Sequence, residues 1–500
     1  MKKLSLLFLI ELLSCMQLYA QYSPVPEVST HHFEKTADSL MAQPLRKHPW
    51  LAAAAVTGIN TGVHLYNRYI AKEEFAKTTL RTIRNNFKTG FVWDNDVFST
   101  NMFAHPYHGN LYFNAARSNG LSFWESTPYV LGGSLMWEFF GEKDPPAIND
   151  VFATTFGGIA LGEITHRVSN IILNDHQRGF GRFLREAAAF VINPIKGIGR
   201  IVRGDAWRVR NDHYLYHDHL ETPIDFSVSA GYRYLADDAS VFRGDHNGYV
   251  TLYLGYGTSV DGERHSTPFD YFETELSFSV TANQPRVHFL RLMARIWSTP
   301  LVNKPNVTGE FGIYQHFNYY DSKPVKKDSY ETPYRISEAA SFGPGCIFSF
   351  GQSGMFSRIE QRVFLSGILL GGAKSDYFNV LERDYNMGSG FSLKSKTHLE
   401  FANFGRLILH AKYFRLFTWK GYSYRDLIKT DDLHYLNVQG DKGNAGLLVI
   451  NPILEIDFYK QWSLSFSGSY FNRSTHYVNP DYADVESETF ELKAGVTCHF

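Results

Sequence analysis

Cysteine is scarce in this 500-residue chain: Cys15, Cys346 and Cys498 are spread over nearly its whole length. Thiols so few and so far apart make no disulfide framework, which excludes a small stapled secreted fold. An excess of charge of one sign is also missing. The 49 Lys and Arg balance the 50 Asp and Glu, for a formal net charge of -1. There is then no electrostatic case for a nucleic-acid partner, and none is expected. Nor does the chain hold a clean run of about 20 apolar residues, the length that a membrane-crossing helix needs. Its apolar stretches at 51–70, 122–141 and 148–173 are interrupted by Asn60, Glu138, Asp150, Glu163 and His166. Also absent are a Walker A loop, a Gly-x-Ser-x-Gly elbow, a Cys-x-x-Cys pair and a His-Glu-x-x-His helix. Each would have marked a chemistry by a defined geometry.

What the chain does have is aromatic residues, 16% of the total with 40 Phe and 30 Tyr, alongside 40 Gly and a mean hydropathy of -0.25. Many aromatics in a chain of modest hydropathy suit a membrane barrel with aromatic girdles and a polar lumen. The period of the pattern agrees. In the last stretch Leu464, Phe466, Gly468 and Tyr470 interleave with serines, and Phe490, Leu492, Ala494, Val496, Cys498 and Phe500 interleave with Glu491, Lys493, Gly495, Thr497 and His499. Strand side chains alternate faces, so each segment has one apolar and one polar surface. Period two begins near Asp225 and predicts strands near 225–236, 247–258, 271–283, 286–300, 306–320, 336–350, 355–374, 386–401, 405–419, 445–459, 462–477 and 488–500. Lys493, Glu491, Glu455, Asp457, His410 and Lys412 are placed inward. The chain ends on an aromatic in register with the apolar face, which resembles the C-terminal insertion signal of bacterial outer-membrane barrels.

Upstream, Lys2 and Lys3 followed by Leu4–Leu13 read as a signal peptide, 1–20, cleaved after Ala20. The rival reading is a lipobox, Leu12-Leu13-Ser14-Cys15, with Cys15 acylated. Residues 21–46 read as a linker, 47–210 as a helical domain on the periplasmic side, and 211–500 as the barrel. The fold class expected is α+β: an N-terminal helical domain followed by an antiparallel transmembrane β-barrel of about 12 strands. The partners expected are the outer-membrane lipid bilayer of a Gram-negative bacterium and the barrel assembly machinery; oligomeric state is not legible. Arg178, Arg182, Arg185, Lys196, Arg200, Arg203, Arg208 and Arg210 give the segment from His176 to Arg210 a basic amphipathic stretch, which fits an anionic lipid surface or a solvated face equally well.

The polar residues of the helical domain come in short runs: Trp93-Asp94-Asn95-Asp96, His105-Pro106-Tyr107-His108-Gly109, Ala115-Ala116-Arg117, Trp137-Glu138 with Glu142, Asn149-Asp150, Gly162-Glu163 and His166-Arg167. From about Trp93 to Asn170 these runs resemble domain of unknown function 3943, a family of secreted bacterial envelope proteins. Their order is also distantly similar to VanZ-like membrane proteins. Neither resemblance implies a known reaction.

Read from spacing, Glu138 and Glu142 share a helix face, where two carboxylates can form an acid/base pair. Glu163 and His166 form a Glu-x-x-His step, used in pairs by di-iron bundles, but only one is present. The candidate catalytic centre is Glu138, Glu142, Glu163 and His166, with His105, His108, Arg117, Asp150 and Arg167 as candidate binding residues. The competing reading is a hydrogen-bonded network between helices, with Arg117 or Arg167 neutralising the carboxylates. No cofactor is called for; a Zn or Fe site on His105, His108, Glu138 and Glu163 is the alternative. Asp150 reads as a helix N-cap and Gly158-x-x-x-Gly162 as a close helix contact. Three functions stay open: a non-catalytic lipid-handling or scaffold protein whose helices dock under or plug the barrel, an envelope-lipid hydrolase, and a passive solute channel.

Overall fold

The computed structural model describes residues 46–94, 96–209, 222–237, 240–260, 267–325, 331–378, 383–421 and 440–500. The signal-peptide and linker readings therefore lie outside the described residues. Twelve strands follow the alternating segments: β1 (Ile224–Asp237), β2 (Ser240–Tyr256), β3 (Phe272–Ser279), β4 (Val287–Lys304), β5 (Val307–Asp321), β6 (Arg335–Phe350), β7 (Phe356–Lys374), β8 (Tyr385–Phe401), β9 (Gly405–Thr418), β10 (Gly443–Tyr459), β11 (Trp462–Tyr477) and β12 (Val485–His499). Each pairs antiparallel with its sequence neighbours, and β1 pairs with β12 to close the barrel. Closure leaves no open strand edge. At the seam Ser227 faces His499 and Leu235 faces Glu491. Phe500 completes it, its N–H donating to Phe226 O at 2.9 Å and its ring lying 5.4 Å from that of Phe226.

The rim where β1 starts and β12 ends, the near rim, carries turns of two to five residues after β4, β6, β8 and β10, set by the strand bounds. The opposite far rim carries the long connections 322–334, 375–384 and 419–442. A local departure from the expected strands has a physical cause. β3 stops at Ser279 rather than 283, because Ser279 N–H turns back to Arg286 O across a tight reversal. In the long near-rim connection between β2 and β3, the described residues 267–271 meet the helical unit: Arg167 donates to Pro268 O at 2.8 Å, and the Phe269 ring lies 5.5 Å from that of Phe123.

Inward positions are polar near the near rim, where a cavity of about 500 Å³ is lined by Glu273, Arg291, Lys396, His410, Glu455 and Lys493 among others. Towards the far rim the lumen is filled by an apolar cluster of Tyr320, Tyr334, Phe414, Leu416, Leu447 and Phe471. The rings of Tyr334 and Phe471 stack with centroids 4.1 Å apart.

The helical unit consists of α1 (Pro49–Leu65), α2 (Leu80–Thr89), α3 (His105–Arg117), α4 (Phe123–Met136), α5 (Ile148–Phe152), α6 (Gly158–Ile172), α7 (Gly179–Ile192) and α8 (Pro194–Arg203). Thr79 and Ser122 start α2 and α4 with capping boxes, each satisfying two otherwise orphaned N–H groups. α3 and α6 pack backbone to backbone: a Cβ on Gly109 would lie 1.9 Å from Thr154 O, and one on Gly158 would lie 2.5 Å from the Gly109 Cα. Only glycine permits this approach, and Gly162 likewise abuts Phe113.

The helices neither sit beneath the barrel nor enter it. They lie against its outer wall. Phe98, Phe113, Phe123, Ile159 and Ile164 form one core with the outward-facing Phe272, Leu292, Phe317, Tyr319, Leu370 and Tyr385. Phe272 and Leu370 are fully buried there, whereas Leu393, equally outward on the uncovered side, is 49% exposed. The lumen, packed with aromatic side chains towards the far rim and reduced to a cavity of about 500 Å³ near the near rim, offers no room for the helices. The wall of β3–β8 offers aromatic and small residues, Ala339 and Ala340 included, that match the helices.

Candidate functional site

Three π-helical turns shape the polar end of the helical unit: Thr100–Ala104 before α3, Trp137–Gly141 after α4, and Ala153–Gly157 between α5 and α6. Such turns inside helices often mark functional positions. Here they set His105, Glu138 and Asp150 at helix junctions around one point. His105 Nε2 lies 3.3 Å from Asp150 Oδ1 and 3.6 Å from Asp96 Oδ2. One potential ligand atom from each of Asp94, His105 and Asp150 lies within 4.8 Å of the other two.

The carboxylates are held by amides. Asn101 Nδ2 donates to Asp94 Oδ2 (2.9 Å), and Asn149 Nδ2 donates to Asp150 Oδ1 (2.8 Å) and Asn101 Oδ1 (3.0 Å). The barrel closes the arrangement: Tyr385, first residue of β8, donates to Asp96 O at 2.6 Å and accepts from Asn101 at 2.9 Å. Glu138 adds its Oε2 as acceptor for Ala147 N–H at 2.8 Å. Burial raises Asp94 to about 6, helped by Asp96, and raises Glu138 to about 7 against the pull of Ala147 N–H and His105. Burial pulls His105 down, but the carboxylates of Asp96, Asp94 and Glu138 outweigh it and bring it to about 9. Asp150 is pushed well above the usual carboxylate range by burial and then by Asp94. An imidazole and two carboxylates with ligand atoms within 4.8 Å of one another can accept a cation.

Two sequence readings change here. Asp150 is not an N-cap; Ala147 occupies that position without a side-chain cap, and Asp150 lies in the first turn with its carboxylate turned into the cluster. Glu138 and Glu142 do not form an i, i+4 pair on an α-helix. The π turn ends at Gly141, Glu142 has an extended backbone, and its carboxylate accepts from Trp137 Nε1 at 2.6 Å.

Nor do the four candidate catalytic residues converge. α3 is 13 residues long, about 18 Å from end to end at 1.5 Å per residue. His105 and the Glu138 cluster lie at its start, Glu163 at its end. There Glu163 is clamped by Arg117 (2.8 and 3.1 Å) and Arg167 (2.9 Å). Arg117 also donates to Leu121 O, and Arg167 to Tyr256 OH and Pro268 O. This is a tie between helices and barrel. His166 points elsewhere: burial, then Lys196, Arg117 and Arg167, hold it well below the usual histidine range, and its backbone carbonyl accepts from Lys196 Nζ at 2.8 Å. His108 meets Tyr112 OH at 2.9 Å and the Trp137 ring, apart from the carboxylates, and burial lowers it to about 4. The metal alternative built on His105, His108, Glu138 and Glu163 is therefore not assembled.

Sequence reasoning passed over Asp94, Asp96, Asn101 and Asn149 as site members, although the Asp94-Asn95-Asp96 and Asn149-Asp150 runs were legible as acidic groups in an apolar domain. Tyr385 carried no signal, being 284 residues from Asn101.

The structure thus defines a closed twelve-stranded antiparallel barrel with a helical unit packed on its outer wall and a His–carboxylate cluster at their junction. Residues 90–195 match the model of Domain of unknown function (DUF3943), which spans the helical unit from before the cluster to the start of α8. The VanZ-like order finds no support in these comparisons. No curated protein sequence matches the chain. Among solved structures, the NanC porin aligns with 55% of this chain and 98% of its own at 9% identity and a TM-score of 0.26. The translocator domain of the autotransporter NalP from Neisseria meningitidis covers 56% and 88% at 12% identity and 0.22. The outer membrane protein OprD from Pseudomonas aeruginosa covers 56% and 94% at 9% identity and 0.20. At these values the likenesses carry no functional argument.

Proposed function

We propose that this is an outer-membrane protein that handles envelope lipid, its barrel serving as an anchor and wall for the helical unit. The observation that carries the reading is the placement of the helices on the outward face of β3–β8, a surface that a bare barrel would give to lipid. The helices in turn leave large apolar side chains exposed on their free side, among them Trp50, Leu51, Tyr69, Trp124, Phe183 and Val202. Exposed apolar area of this extent marks contact with a membrane or a partner, and it continues the exposed belt of Leu365, Leu393 and Leu492. No described helix is long and apolar enough to cross a membrane by itself, so the helices enter the bilayer's apolar zone only as companions of the wall. The near rim, with its short turns, takes the periplasmic side in this reading, and α6 reaches it through Arg167. The packed aromatics in the far half of the lumen speak for an anchor over a channel.

Two measurements test this. Single-tryptophan variants retaining Trp50, Trp124 or Trp207 are reconstituted with brominated lipid. Strong quenching supports the reading; fluorescence equal to that in unbrominated vesicles at all three positions refutes it. In planar bilayers the wild-type protein is expected to give no steady conductance, and a stable open channel would instead establish solute passage.

A further inference from the structure

Buried carboxylates in the helical unit follow a habit. Glu163 is neutralised by Arg117 and Arg167, and Asp175 and Glu186 by Arg182 and Arg200. At the start of α3 the habit fails. Asp150, Glu138 and Glu142 are gathered within electrostatic reach of one another, and no Lys or Arg forms an ion pair with any of them among the described residues. His105 faces this group with a buried Nε2 that makes no hydrogen bond. Burying several carboxylates against one imidazole is costly unless a cation neutralises them.

The geometry points to a divalent-cation site formed by Asp94, His105 and Asp150, with Glu138 and Asp96 flanking it. The 3.3 Å between His105 Nε2 and Asp150 Oδ1 is close to the ~3.4 Å that separates two ligands each about 2.1 Å from a tetrahedral ion. All three ligand atoms lie within 4.8 Å of one another, at most about 1.4 Å beyond that spacing, a gap that side-chain rotation of Asp94 can close. Imidazole and carboxylate without sulfur select the harder first-row divalent ions, of which zinc, manganese and iron(II) fit this donor set. The second layer is in place. Asn101 and Asn149 orient the carboxylates, and Tyr385 orients Asn101 from the barrel, as metal sites require of the groups behind their ligands. The ion would join four separate segments, the Asp94 loop, α3, α5 and, through Asn101 and Tyr385, the start of β8. It would serve as a cross-link holding the polar end of the helical unit to the far rim.

The test uses full-length protein in detergent, stripped with a chelator and titrated with zinc chloride alone. One equivalent is expected to bind and to raise the unfolding temperature of the helical signal. Asp150→Asn and His105→Gln should each weaken binding at least about tenfold, while the exposed Glu125→Gln should not. Zinc binding that is unchanged in folded Asp150→Asn and His105→Gln overturns the site, as does a wild type that binds no equivalent. Cobalt(II) added to the stripped wild type decides the matter without a variant. Absorption bands of an ion in a low-symmetry nitrogen–oxygen site support the assignment, and the spectrum of the hydrated ion refutes it.

Discussion

Neutralising Glu163 isolates what the two arginines contribute. Its side chain is fully buried, and its oxygens take three charged hydrogen bonds from Arg117 and Arg167, whose side chains are 18% and 14% exposed. Glu163→Gln keeps the shape and leaves two guanidinium groups facing a neutral amide. Breaking a buried ion pair from one side costs about 3–5 kcal/mol, because the remaining charge is stranded. Residual solvent access and the bonds to Leu121 O, Tyr256 OH and Pro268 O place this case at the lower end, about 3 kcal/mol. That is roughly two orders of magnitude in the folding equilibrium of the helical unit, with the barrel left closed. The assay is urea unfolding followed by the helical far-UV signal in micelles, with gel mobility of unheated samples reporting the barrel. The companion variant replaces Glu163, Arg117 and Arg167 together by Met, and should lose less than Glu163→Gln alone, since no charge is then stranded. A Glu163→Gln protein with an unmoved transition, or a triple variant less stable than the single one, would refute the reasoning.

Gly109→Ala places a methyl 1.9 Å from Thr154 O, so α3 must separate from the π turn that leads into α6; a loss of about 1–3 kcal/mol or more is expected in the same urea assay. Deleting Phe500 removes its bond and ring contact to Phe226 at the seam, and should slow assembly into vesicles, read as the folded fraction against time. Phe414→Ala with Phe471→Ala empties much of the far half of the lumen and should give measurable ion conductance in planar bilayers.

The sequence by itself determined the barrel, because strand faces obey a period of two that is local and survives reading without a partner. β7, read as 355–374, is Phe356–Lys374, and β11, 462–477, is Trp462–Tyr477. Phe500 was legible as part of the apolar face for the same reason, its side chain continuing the face of Val496 and Cys498, whereas its contact with Phe226 across the seam came only from the structure. The close glycine contact of α6 was legible too, since small residues four apart on a helix can only face one neighbour. The tertiary structure alone decided where the helices go. An apolar helix face records that it must be covered, not by what, and the covering surface is the outside of β3–β8, more than a hundred residues downstream. It also decided which polar residues meet. Spacing joined Glu138 to Glu142 and Glu163 to His166, but the π turn at Trp137–Gly141 broke the first pair, and the length of α3 parted Glu138 from Glu163. Asp94, His105 and Asp150 come together instead because three helix junctions and one barrel tyrosine converge there, a coincidence in space that no linear period encodes.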